Sequence, residues 1–174
     1  MKRFFDRPDT HWRRGDGALH LYATPGTGST VAGVAKAAEP ILNGMGALVA
    51  QPLRYVHITL QRLDLYEDEL DDNGTTALRT SLAAFARTAS PLTVRCGSPL
   101  VRHEAVEVLG EDRRAFNALV SGSRAACAQA GLADALTEPP FGPHFTLAYC
   151  TTASDEETDG QLAAALSEAC PASI

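Results

Sequence analysis

The chain has 174 residues, 45% of them apolar, and a formal net charge of −6, enough for one core or for two small lobes sharing a cleft. That charge argues against coating long nucleic acid, which takes many Lys and Arg to displace counterions, but leaves room for a single phosphate held locally. No apolar run approaches the roughly 18 residues of a membrane span, and the start at residues 1–7 turns polar before a signal-peptide core develops, which points to the cytoplasm.

Residues 1–16 are polar and unpatterned and read as a loosely docked leader, with Trp12 as its anchor. Alternation over 18–23 predicts a strand, with Leu19, Leu21 and Ala23 on one face and His20 and Tyr22 on the other. The Pro25-Gly26-Thr27-Gly28-Ser29-Thr30 turn carries only a weak phosphate-loop signal, lacking the rest of either nucleotide fingerprint. A helix follows over 31–45, kinked or ended by Pro40, and then a strand over 53–63. The acidic loop at 64–74 resembles a calcium loop, but Thr80 stands where the bidentate Glu is required, so calcium is rejected there.

Leu78, Leu82 and Phe85 form the next helical stripe, and 92–96 with 105–109 read as two paired strands. A helix over 112–130 buries Phe116, Leu119, Val120 and Cys127, with Gly131 as its C-cap. A stiff Pro139-to-Pro143 entry leads to another strand. The Ser154-Asp155-Glu156-Glu157 box then opens a last helix with Leu162, Leu166 and Ala169 inside, and Pro171 ends it. Cys96, Cys127, Cys150 and Cys170 form no C-x-x-C pair and read as buried, reduced thiols. His11 and His103 have no partner in sequence and read as solvated or satisfied histidines.

One element occurs twice. His57-Ile58-Thr59-Leu60 returns as His144-Phe145-Thr146-Leu147, 87 residues later. On a strand each copy sends its His and Thr to one face and its apolar pair to the other. A single His-x-Thr would be an ordinary polar face, but two copies inside a repeating order of strands and helices predict duplicated α+β lobes with both histidines around one ligand. One imidazole can then take a proton from an attacking oxygen while the other gives one to the leaving oxygen. That division of labour predicts a bell-shaped dependence of rate on pH.

With these residues the chain resembles the two-histidine phosphoesterase superfamily, in its 2′-5′ RNA ligase and cyclic phosphodiesterase branch. The resemblance spans residues 18–174 and includes the Pro143-His144-Phe145-Thr146-Leu147 form of the second motif. It implies an α+β fold, duplicated and bilobal over 17–174, with two antiparallel sheets lining a central cleft and helices outside. The family's last strand is expected short or missing, since only residues 171–174 remain for it.

The resemblance also implies metal-independent, cofactor-free action on a 2′,3′-cyclic phosphate or a 2′-5′ phosphodiester. His57 and His144 would be catalytic, and Thr59 and Thr146 would donate to the phosphate. Similarity to the plant cyclic phosphodiesterases assigns water activation to His144 and leaving-group protonation to His57, a point on which the sequence itself is symmetric. His20, Tyr22, Tyr55 and Gln61 are expected to line the groove, and Tyr149 to face the core. No basic cluster adjoins either motif, so the expected partner is an RNA terminus or small nucleotide, not a membrane or an extended duplex. The oligomeric state is not legible. Three other readings stay open: a non-catalytic nucleotide-binding module, a metal-dependent hydrolase, and RNA ligation by the reverse reaction.

Overall fold

The computed structural model describes residues 1–7, 18–26, 28–111 and 113–170. The expectations for His11, Trp12, the Pro171 stop and a last strand lie outside the described residues. Strand β1 (His20–Ala23) is followed by helix α1 (Thr30–Asn43), then β2 (Leu48–Ala50), β3 (Ile58–Arg62) and α2 (Asp72–Thr88). Strands β4 (Leu100–Val101) and β5 (Ala105–Leu109), helix α3 (Arg113–Gln129), strand β6 (His144–Cys150) and helix α4 (Glu156–Ala169) complete the order. The fold is α+β, with a two-stranded sheet β1-β3 and a four-stranded sheet β2-β6-β5-β4, every pairing antiparallel.

Each motif lies on one sheet, the first entering β3 and the second opening β6. Helices α1 and α4 pack on each other and on the larger sheet, while α2 and α3 pack together with α3 against β3. Phe145, Leu147, Val106 and Val108 meet Val34, Leu42, Leu162 and Leu166 in the main core. Fully burying such a side chain is worth about 1.5–3 kcal/mol. Leu60, Phe116 and Val120 form a second cluster under β3. All four cysteines are free and buried.

Both motif strands contain a bulge at the same place. Tyr22 pairs with Thr59 but Leu21 with Gln61, so Leu60 is the extra residue; Glu107 pairs with Thr146 but Val106 with Ala148, so Leu147 is. An extra residue breaks the period-two alternation. Beyond each Thr, two successive residues therefore point into the core, Leu60 and Gln61 in one strand and Leu147 and Ala148 in the other. Arg62 and Tyr149 turn back to the polar face.

The structure corrects several expected elements. The strand expected over 53–63 starts only at Ile58, because Pro52 opens a 3-10 turn over Leu53–Tyr55. The segment 92–96 is not a strand: Cys96 makes one isolated bridge to Gly110, and β4 pairs with β5 instead. Pro91 and Pro99 bracket that segment and cannot donate to a ladder, while its Leu92 and Val94 alternate into different cores. Pro40 does not end α1, which runs on to Asn43. The last helix is capped by Asp155, which accepts from the Thr158 N–H at 2.8 Å. Ser154 is drawn away to Asp159, and Cys170 is buried where Ala169 was expected.

Other caps match their residues. Asp71, from the acidic loop, accepts from the Gly74 N–H at 2.7 Å and starts α2. Gly131 follows α3 with φ of 83°, a left-handed conformation that a Cβ would strain. Residues 1–7, expected as part of a loose leader, are instead packed. The Met1 side chain enters the main core, the Lys2 N–H donates to the His103 carbonyl at 2.6 Å, and the amino terminus bonds Ser154 and Asp159.

Candidate active site

The bulged strands leave a cleft of about 410 Å³ between the two sheets, lined by both His-x-Thr pairs: His57, Thr59, His144 and Thr146. The two imidazoles are held in the same way. The Nδ1 of His57 lies 2.6 Å from the Tyr55 carbonyl, and the Nδ1 of His144 lies 2.9 Å from the Gly142 carbonyl. A carbonyl oxygen only accepts, so each Nδ1 carries the hydrogen. In the neutral ring Nε2 is then an unprotonated base, and in the charged ring it is an N–H acid. Both rings thus present the same reactive nitrogen to whatever occupies the cleft.

Local sequence makes this possible. The 3-10 turn ahead of β3 and the Pro143 approach to β6 each place a carbonyl two residues before the histidine. The second approach is held by the Gly110 N–H, which donates to the Pro143 carbonyl at 2.8 Å. A Cβ on Gly110 would meet Val94 Cγ1 at 2.2 Å, so any side chain there would have to displace Val94. Aromatic rings flank both imidazoles: Tyr22 lies 4.3 Å from His57 at 36°, and Phe141 stacks on His144 at 4.5 Å and 15°.

Of the four other expected lining residues, His20 and Tyr22 are in the cleft. Gln61 is not, because the bulge turns it into the interior, where it is fully buried. Its amide donates to the Thr137 carbonyl at 3.0 Å, and its oxygen accepts from the Arg124 guanidinium at 2.6 Å. Tyr55 is not a wall residue either. Its ring is 55% exposed and lies under the Arg54 guanidinium, and only its carbonyl serves the site. Tyr149, expected in the core, lines the cleft, and burial raises its phenol pKa while a Thr146 hydrogen bond opposes the shift.

The sequence reading missed Arg62 and Arg7, two cations in the cleft wall, together with Phe4, Phe5, Gln51 and Glu107. Arg62 stands beyond the bulge, and Arg7 comes from a segment far from either motif. Glu107 is shared with Arg102 at 3.7 Å. Among the described residues no cluster of three or more His, Cys, Asp or Glu could hold a metal ion. His103 is exposed and is not among the residues that line the cleft. No described helix is long and apolar enough to cross a membrane.

Burial holds the His20 pKa below its ordinary 6.5, with Arg62 and then His57 adding to the shift. The unfolded chain therefore takes up this proton more readily, so His20 leaves stability untouched above the ordinary value and lowers it as pH falls below. Urea midpoints at about pH 7.5 and about 5.5 should show less acid loss in His20→Gln than in the wild type. An equal loss in both would mean that His20 is not the group responsible.

No family model matches the sequence, and no curated protein matches it. Solved structures do match. TT0787 of Thermus thermophilus aligns with a TM-score of 0.60 at 19% identity, over 80% of this chain and 78% of that one. The Agrobacterium tumefaciens protein ATU0111, described as conserved and of unknown function, aligns at 0.57 and 16% identity, over 94% and 82%. The PDE domain of MHV ns2 aligns at 0.53 and 17% identity, over 78% and 86%. The fold shared with these structures is α+β with two antiparallel sheets, as the resemblance implied.

Proposed function

We propose that the chain is a phosphodiesterase that opens a 2′,3′-cyclic phosphate, or cuts a 2′-5′ phosphodiester, at an RNA end or in a small nucleotide. The observation that carries this reading is the matched anchoring of two imidazoles in one cleft, each with Nδ1 tied to a carbonyl two residues upstream. That arrangement suits general acid–base chemistry at phosphorus, because one ring can be basic and the other acidic while each keeps its Nε2 for the ligand.

The step balances on this chain's residues. His144 in its neutral form takes a proton from water as the oxygen attacks phosphorus. The bond from phosphorus to the leaving ribose oxygen breaks, and charged His57 gives that oxygen its Nε2 proton. Exchange with solvent restores both rings. The direction follows the family resemblance. Negative charge gathers on the nonbridging oxygens during the step, and the Thr59 and Thr146 hydroxyls with the Arg62 guanidinium are the donors lining that space. Donors fixed before reaction stabilise the transition state more than the substrate.

The test is incubation with nucleoside 2′,3′-cyclic phosphates and with 2′-5′ dinucleotides, in chelator and without it. Turnover of at least one class, unchanged by chelator, is expected. Activity abolished by chelator and restored by zinc would overturn the metal-free mechanism, and affinity without turnover would leave a binding module.

A further inference from the structure

Residues 4–7 form one wall of the cleft, and this wall belongs to neither duplicated lobe. The 3-10 turn Phe4–Asp6 is set by Phe4, whose ring packs 4.4 Å from Tyr149 on β6. The Arg7 guanidinium lies 5.2 Å over the Phe4 ring and 3.9 Å from the Glu104 carboxylate. The backbone ahead of the turn is tied to His103. This strap is thereby fastened along the side of the four-stranded sheet.

Phe4 does the fastening, and its neighbour Phe5 faces the cleft. Its ring stands edge-on to Phe4 at 5.3 Å, lines the cleft and remains 50% exposed. Tyr22, on the two-stranded sheet beside His57, is also 50% exposed and lines the same space. A large ring kept open to solvent inside a cationic cleft is a platform for a nucleobase, since any base presents a face that stacks on it. Each ring has an arginine from its own wall, Arg62 with Tyr22 and Arg7 with Phe5. A lone nucleotide with its phosphate between the histidines engages one ring and one cation, leaving the strap pair over.

We infer that Phe5 and Arg7 form a subsite for a second nucleotide, so that the preferred ligand is an oligoribonucleotide end at least two nucleotides long. The inference rests on the functional reading above. The terminal phosphate lies between the histidines with its base against Tyr22. The preceding base stacks on Phe5, and the phosphate joining the two nucleotides meets Arg7, which already shares its charge with Glu104.

Calorimetric binding tests this without turnover, using adenosine 3′-monophosphate and the dinucleotide with one further adenosine on its 5′ side. The wild type should bind the dinucleotide about tenfold more tightly. That ratio should fall to near unity in Phe5→Ala and in Arg7→Gln, and persist in Phe5→Trp, which keeps a platform. The advantage should also shrink with added salt in the wild type and lose that dependence in Arg7→Gln. If the mononucleotide binds and the dinucleotide gains nothing, the strap subsite is wrong while the phosphate site stands. A ratio that survives in both Phe5→Ala and Arg7→Gln equally overturns it. Binding of neither ligand removes the functional reading, and this inference with it.

Discussion

His57→Ala and His144→Ala should each lower kcat on a nucleoside 2′,3′-cyclic phosphate by about 10²- to 10⁴-fold, the usual range for removing one acid or base. That corresponds to about 2.7–5.5 kcal/mol of transition-state stabilisation. The double variant should be little worse than the less active single one, because the two proton transfers belong to one displacement step and their losses do not add. Neither imidazole is buried in a core cluster, so thermal melting of the variants should stay close to the wild type. Losses that multiplied in the double variant would mean that the histidines act independently. Thr59→Val and Thr146→Val isolate the hydroxyls on the same strand faces and should reduce kcat more than they raise KM.

The second large effect concerns a residue with no contact to substrate. Arg124 on α3 donates to Gln61 Oε1 at 2.6 Å and to the Thr137 carbonyl at 2.7 Å. Gln61 Nε2 and Thr137 Oγ1 both return to the Arg62 carbonyl. This network satisfies the side chain that the β3 bulge drives inward, and so holds Arg62 facing the cleft. Arg124→Ala leaves the buried Gln61 oxygen without its charged donor and should cost about 3 kcal/mol in urea unfolding. Gln61→Leu with Arg124→Leu removes both partners and should recover about half of that loss, since a pair of apolar groups costs far less than one orphaned polar group. A double variant no better than Arg124→Ala would show that the guanidinium acts through packing and not through Gln61. The single variant should also raise KM, because a relaxed bulge no longer sets the direction of Arg62.

The bulges mark the boundary of what was legible in the letters. The two His-x-Thr pairs, the apolar residues beside them and the helical stripes followed from periodicity, and the resemblance supplied two sheets around a cleft. Nothing in Leu60 or Leu147 announces an extra residue, since leucine fits a regular strand equally well. The regular reading therefore sent Gln61 to the groove and Tyr149 to the core, and the structure reverses both. It also kept Arg62 out of the site. Edge strands of two or three residues, such as β2 and β4, are too short to show alternation. The strap is long-range packing: the ring of Phe4 meets a tyrosine that is adjacent only after folding. His57 Nδ1 bonding to the Tyr55 carbonyl is a backbone contact, which no choice of side chain encodes.

The central claim is that two imidazoles clasp one phosphate through their Nε2 atoms. Nitrogen-15 spectra of the histidine side chains, followed while adenosine 3′-monophosphate is added, test it directly. Both Nε2 resonances, assigned with the single variants, should move together and saturate at one ligand per chain, while both Nδ1–H signals stay in place. Movement of one ring alone, or of the two with separate affinities, would contradict a shared phosphate.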